Sequence, residues 1–226
     1  MNVIELTGVG KTHAGSPPVT ALHGATLSVA AGEFVAITGP SGSGKSTLLA
    51  VAGTLERPST GMVRLVGQPT ERLPDRELCA IRAAVIGFVF QQFHLVPWLT
   101  AADNVATALL YRGVPADRRR RAAADALAHV GLAHRVSHRP AELSGGECQR
   151  VAIARAMVGQ PAALLADEPT GSLDTTAGQG VLALLADLNS RGTTVIVVTH
   201  DPEVATRAGR IIRLRDGKVV TDGLAA

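Results

Sequence analysis

Residues 34 to 53 read FVAITGPSGSGKSTLLAVAG, an apolar strand, a glycine-rich loop and a helical pattern in immediate succession. Inside this stretch, Gly39 to Ser46 fills every position of G-x-x-x-x-G-K-[ST], in the strand-then-helix context that the pattern requires. Gly39, Gly42 and Gly44, spaced by Pro40, Ser41 and Ser43, let backbone N–H groups converge on phosphates. Lys45 supplies a point charge to the β and γ groups, Ser46 a hydroxyl to Mg²⁺, and Thr47 a contact to the α-phosphate. A strand feeding a helix through such a loop demands a sheet to belong to. That limits the fold class to α/β.

The remaining strands fit this demand. AALLADEPT (162–170) and TTVIVVTH (193–200) are short apolar runs without alternation, the mark of strands buried on both faces of a parallel sheet. RIIRLRDGKVV (210–220) carries Asp-Gly between alternating segments and predicts a hairpin. The first thirty residues alternate loosely, and MVRLVG (62–67) resumes the alternation, predicting an antiparallel layer around the first βα unit. From about 93 to 142 the pattern is helical and Ala-rich, broken at Pro97, Gly113–Pro115 and Gly131. The expectation is a P-loop NTPase core with a mostly parallel sheet, an N-terminal antiparallel β layer and an inserted α-helical subdomain. It forms one domain over 1–226, the core at approximately 1–92 and 143–226 and the helical part at approximately 93–142.

Composition narrows the class further. Hydrophobic residues make up 46% of the 226 residues and aromatics 3%, so the core must be aliphatic. The formal charge is +3, carried almost wholly by Arg, and the dense run Arg118 to Arg121 opens a helical pattern. Without interleaved aromatics for base stacking it reads as a solvated helix face, and no nucleic-acid partner is expected. Cys79 and Cys148 show neither disulfide nor zinc spacing. No signal pattern opens the sequence, and no apolar stretch has membrane-spanning length.

Two carboxylates end the LLADE strand. At the carboxyl edge of a parallel sheet they face the same crevice as the phosphate loop. Asp167 is expected to hold Mg²⁺ through water, and Glu168 to polarise an attacking water. His200 ends the next strand and reaches the same edge; a core or capping histidine is the alternative, disfavoured by three strand ends converging on one crevice. Gln91, after VIGFVF, fits as a polar group reaching both Mg²⁺ and the water.

LSGGECQR (143–150) then poses a difficulty. Ser144 and Glu147 have capping-box spacing, so Ser144, Gly145 and Gly146 open a helix with free N–H groups and positive dipole character. Either this is merely a well-capped helix, or it is a second phosphate site. The order GPSGSGKST, Gln91, LSGGE, LLADEP, SLD (172–174), His200 resembles ATP-binding cassette proteins over essentially the whole chain. The resemblance implies that two cassettes pair head to tail, each ATP lying between one copy's phosphate loop and the other's LSGG helix. Ser144, Gly145 and Gly146 would then contact the γ-phosphate bound to the partner, and Asp174 of SLD joins the nucleotide-binding set. ATP and Mg²⁺ are the implied cofactors, and Glu168, His200 and Gln91 the implied catalytic residues.

ADEPTGSLD and IGFVFQQFHLVPWLTAADNV (86–105) are similar to the MacB/LolD-type branch, serving macrolide export and lipoprotein release, with the FtsE type a near relative. The expected partners are a second ATP-binding subunit and transmembrane permease subunits on a separate polypeptide, docking near Phe93 to Trp98. That places the chain on the cytoplasmic face of the cell membrane. An FtsE-like role, transmitting force without transport, is the alternative. Repair ATPases with coiled-coil or zinc insertions, and tandem translation factors, fit less well. His13 stands where the family has an adenine-stacking aromatic, and Cys148 where Gln or Arg is common; Cys148 is expected to be a small buried hydrophobe.

Overall fold

In a computed structural model describing residues 1–224, strands β1 (Asn2–His13), β2 (Val19–Ala30), β4 (Thr60–Leu65) and β5 (Gln68–Pro69) form one sheet in the order β2-β1-β4-β5. All its pairings are antiparallel. A second sheet has the order β10-β9-β3-β8-β7-β6, built from β3 (Phe34–Thr38), β6 (Ile86–Val89), β7 (Ala163–Asp167), β8 (Thr194–Val198), β9 (Arg210–Arg215) and β10 (Lys218–Leu224). Its five strands from β9 to β6 run parallel. Only β10 runs against them, joined to β9 by Asp216 and Gly217, both at positive φ as a two-residue hairpin turn requires.

The apolar runs of the parallel strands are uniform because both faces are covered. Along β3, Val35 and Ile37 enter one core cluster while Phe34 and Ala36 enter the other. β8 divides the same way, with Ile196 and Val198 on one side and Val195 and Val197 on the other. The first cluster fills the space between the sheets around α1 (Lys45–Ala52), whose Leu48, Leu49 and Val51 are buried. The second lies beneath α3 (Ala101–Ala106), α4 (Ala116–His129), α5 (Gly145–Met157), α6 (Thr175–Ser190) and α7 (Pro202–Arg207). Each fully buried Val, Leu or Ile contributes about 1.5–3 kcal/mol. Strands packed on both faces therefore make a stiff platform for whatever their ends carry.

A further helix, α2 (Asp75–Val85), follows Pro74 and has Asp75 and Glu77 in its first turn. The sequence reading assigns no helix there. Between 93 and 142 lie α3, α4 and short 3₁₀ turns, and α5 packs on both α3 and α4. Arg118, Arg120 and Arg121 lie exposed on α4, with Arg121 paired to Asp117 one turn earlier at 2.8 Å. Cys148 is buried, and burial pushes its thiol pKa up.

Candidate active site

Register puts the chemistry on one edge. β3 pairs Ile37 with Val198, β7 pairs Asp167 with Val198, and β6 pairs Val89 with Ala166. The residues that follow each strand, the glycine loop after Thr38, Glu168 after Asp167, His200 after β8 and Gln91 after β6, therefore leave the sheet on the same side. They line one cleft of about 550 Å³ together with His13, Ala21, Ser41, Gly42, Gly44, Lys45, Ser46 and Thr47.

The loop itself is a cradle of backbone. Gly44, the residue before α1, has φ 95° and gives the helix no side-chain cap, so the first-turn N–H groups of Lys45, Ser46 and Thr47 have no acceptor within the helix. Gly39 has φ 151°, and a Cβ there would run into the Leu214 carbonyl of β9. Pro40 accepts from Ser43 N at 3.2 Å, closing the loop on itself, and the buried Ser43 hydroxyl has no partner. Lys45 is 92% buried and donates to the Gly39 and Pro40 carbonyls at 2.9 Å each, which holds its ammonium across the loop.

Ser46 Oγ donates to Asp167 Oδ1 at 3.2 Å. Burial pushes the Asp167 carboxyl up from its ordinary range, as does the neighbouring Glu168 charge; the Ser46 hydrogen bond and the Lys45 charge pull it down. Glu168 has φ 47°, unusual for a residue with a side chain, and its N–H is fixed to the Val198 carbonyl at 2.9 Å. Its Oε2 lies 2.6 Å from Nδ1 of His200, whose ring is otherwise mostly exposed. His13 sits at the end of β1, half exposed, with Nδ1 3.7 Å from Glu56 Oε2.

Hydroxyl and carboxylate oxygens at Ser46 and Asp167, with the Gln91 amide on the same cleft, suit a hard cation that keeps part of its water. Among the described residues no cluster of three His, Cys, Asp or Glu offers a dedicated cage. The donor set therefore fits Mg²⁺ held jointly with a phosphate group, and does not fit zinc.

Ser144, Gly145, Gly146 and Asp174 lie elsewhere. None lines the cleft. Ser144 Oγ accepts from Glu147 N at 3.2 Å and Glu147 Oε2 accepts from Ser144 N at 2.8 Å, a complete capping box at the start of α5. Arg135 Nε reaches Glu147 Oε1 at 2.9 Å. The backbone hydrogen bond from Ser144 holds the Glu147 carboxyl below its ordinary pKa, with Arg135 acting in the same direction against burial. Asp174 caps α6 by accepting from Ala177 N at 2.9 Å.

Three residues of the site escape sequence reasoning. Ala21 brings its backbone against the loop at Gly44. Gly171 lies where a Cβ would sit 2.9 Å from Gln91 Nε2 and 3.4 Å from Glu168 Oε2, so a side chain would press against both. Gln149, wholly buried on α5 outside the cleft itself, donates to the carbonyls of Phe90 and Pro169, the neighbours of Gln91 and Glu168. Only Gly171 left a trace, as a glycine directly after a strand-end motif.

Residues 22–171 match the family described as ABC transporter. The chain is 48% identical over 221 residues to the macrolide export ATP-binding/permease protein MacB 1/2 of Paracoccus denitrificans, covering 97% of this chain and 33% of that protein. It thus spans about a third of the length of that relative and of a similar one from Rhodopseudomonas palustris. An uncharacterized ABC transporter ATP-binding protein of Thermotoga maritima is 49% identical over 218 residues, covering 96% of this chain and 93% of that one. A solved ATP-binding cassette, dimeric, in a post-hydrolysis state and bound to ADP and Pi, superposes with a TM-score of 0.90 at 44% identity, covering 99% of both chains.

Proposed function

The chain belongs to the ABC transporter family, and from that premise we propose that it binds and hydrolyses ATP as the motor of a membrane transporter of the efflux or lipoprotein-release type. The observation that carries this reading is the single cleft in which a phosphate cradle, Lys45, Ser46, Gln91, Glu168 and His200 meet. ATP seats its phosphates on the first-turn N–H groups of α1, with Lys45 turning its ammonium toward the β and γ groups and Thr47 meeting the α-phosphate. Ser46, Asp167 and Gln91 would hold Mg²⁺, which would supply neutralisation of phosphate charge. Glu168 accepts a proton from the attacking water, and the imidazole of His200, hydrogen-bonded to it, fixes the orientation of its carboxylate.

The second phosphate contact comes from a second copy. Ser144, Gly145 and Gly146 serve the nucleotide of the partner, and ATP closes the dimer; their place outside their own subunit's cleft supports this reading. Asp174, beside them in the chain fold at the start of α6, belongs to the same face. The membrane partner docks along the Phe93 to Trp98 segment, where Trp98 is exposed and where the neighbouring His94 lines a groove of about 380 Å³ with Phe88, Phe90 and Arg155. The helical segment at approximately 93–142 is the subdomain that meets it. No helix among the described residues is long and apolar enough to cross a membrane, so the permease is a further domain or subunit. On this reading the cassette sits at the cytoplasmic face of the membrane.

The test is hydrolysis together with Glu168→Gln. Wild type should release phosphate from ATP, and the variant should lose about a hundredfold to ten-thousandfold in turnover, since it lacks its general base. In ATP and Mg²⁺ the variant should elute from size-exclusion chromatography as a dimer. Turnover at the wild-type rate would remove Glu168 from this role.

A further inference from the structure

Gln149 is completely buried in the first half of α5 and takes no part in the cleft. Its Nε2 donates to the Pro169 carbonyl at 2.6 Å and to the Phe90 carbonyl at 3.4 Å. Both partners are carbonyls, so the amide can face them only with its nitrogen. That leaves Oε1 buried with no partner at all. An orphaned carbonyl oxygen in the interior is destabilising, and an apolar side chain of the same length would avoid it.

The contrast with Asn104 is informative. Its Oδ1 accepts from Val96 N at 2.7 Å and its Nδ2 donates to the carbonyls of Val96, Leu99 and Thr100. Every polar atom is used within one loop, as expected of a residue that simply shapes local chain. Gln149 instead spans two segments far apart in sequence and leaves half of its amide unused. The segments are telling. Pro169 directly follows Glu168, and Phe90 directly precedes Gln91. Further along α5, Arg155 donates to the Phe93 and His94 carbonyls at 2.8 Å and 2.6 Å, so the Gln91 segment is held to α5 on both sides.

We infer that Gln149 is a positioning residue for hydrolysis, its amide N–H groups clamping the backbone behind Glu168 and Gln91 to the helix that opens with Ser144–Gly146. This rests on the ATPase reading above. Movement of α5, which carries the residues offered to the partner's nucleotide, is passed through Gln149 to the general base and to Gln91 of its own subunit. The clamp acts on placement of the water-activating groups and leaves the phosphate cradle of α1 untouched, so it governs turnover and not affinity.

The experiment is Gln149→Met, which keeps length and removes the donors. Steady-state hydrolysis at saturating ATP is measured beside equilibrium binding of a ribose-modified fluorescent ATP analogue. Turnover should fall about tenfold to a hundredfold, the range expected when a reacting group is misplaced by an ångström. The dissociation constant should match wild type. Hydrogen exchange should rise at 90–92 and 168–171 and stay unchanged in β3. Gln149→Glu gives a second, independent reading: ionised it cannot donate, protonated it can, so its turnover relative to wild type should recover as pH falls from about 8 to about 6. That ratio decides the matter alone should the Met variant not fold. A Met variant turning over within about twofold of wild type, or losing affinity in parallel with turnover, overturns the proposal, as does a Glu ratio independent of pH. A wild-type protein that does not hydrolyse ATP would instead defeat the functional reading itself.

Discussion

Two helices of this molecule begin with glycine-rich turns, and they begin differently. α1 opens at a left-handed Gly44 with no side-chain cap, its loop bent so that backbone donors face an open cleft. α5 opens at Ser144 with a complete capping box, braced from outside by Arg135. The first helix leaves its donors for a ligand; the second satisfies two of them from its own side chains and presents a rigid, finished end. A cradle must wrap its phosphate, whereas a surface that docks onto a phosphate already bound elsewhere must hold its shape before contact. On the function proposed above, the difference in capping corresponds to a difference between binding in cis and binding in trans.

The sharpest way to break this comparison is at Lys45. Replacing it with Ala removes the ammonium held across the α1 loop together with its hydrogen bonds to the Gly39 and Pro40 carbonyls. A charge-assisted hydrogen bond is worth about 1.5–3 kcal/mol, so ATP affinity of the single subunit should fall roughly tenfold to a hundredfold. Titration with the ribose-modified analogue measures it. Unchanged affinity would mean that the cleft does not hold the phosphates through Lys45.

Ser144→Ala should behave oppositely. Losing the cap costs about 1 kcal/mol of stability, visible as a lowered urea midpoint. Binding of nucleotide to one subunit should remain as in wild type, and turnover, which on the proposed function needs the assembled dimer, should fall. A variant that loses single-subunit affinity would put Ser144 in its own cleft and abolish the distinction between the two helix ends.

How much of this contrast was legible beforehand depends on how local each part is. The α1 cradle was readable because strand, loop, Lys45 and Ser46 are contiguous, and their geometry follows from glycine placement alone. Asp167 and His200 were readable because uniform apolar runs reveal parallel strands, whose ends share an edge. The capping box of α5 was also visible as Ser144–Glu147 spacing. What it is for was not visible in those residues; the reading of it as a trans site came from the resemblance in motif order. Gln149 was silent because its partners, Phe90 and Pro169, arrive only through the packing of α5 on β6 and the neighbouring loops, whereas Gly171 showed only as a glycine after a strand-end motif. The helix α2 escaped notice although Pro74, Asp75 and Glu77 mark its start, since the flanking β segments dominated the pattern.

The two ends should also part company in acid. Glu147 is held below the ordinary glutamate value of 4.5, chiefly by the Ser144 backbone hydrogen bond. A depressed carboxylate stabilises the fold above its unfolded pKa, and that contribution is lost as pH falls through the folded value, here below 4.5. Asp167, pushed up chiefly by burial, has the opposite sign: stability falls as pH rises from its ordinary 3.8 toward its raised folded value. Glu147→Gln should therefore flatten the acid limb of a stability-against-pH curve, followed by urea midpoints, while Asp167→Asn should steepen it. Identical acid limbs for wild type and Glu147→Gln would show the capping carboxylate to be energetically idle.

The smallest effect concerns the far wall of the cis cleft. His13 ends β1 and lines the cleft with Ser41 and Gly42, its side chain 41% exposed and within 3.7 Å of Glu56. A place on the wall of the same cleft as the phosphate loop suits a ring lying against adenine. An imidazole has less face to offer than a phenol, and aromatic pairing is worth about 0.5–1.5 kcal/mol in all. His13→Tyr should therefore tighten ATP only about threefold, and His13→Ala should loosen it by a similar factor. Turnover at saturating ATP should stay level in both, because neither touches Glu168 or His200. The ribose-modified analogue, which leaves adenine free, reads the change directly. Equal affinities for all three proteins would mean that the base rests elsewhere, and that the cis site is defined by its phosphates alone.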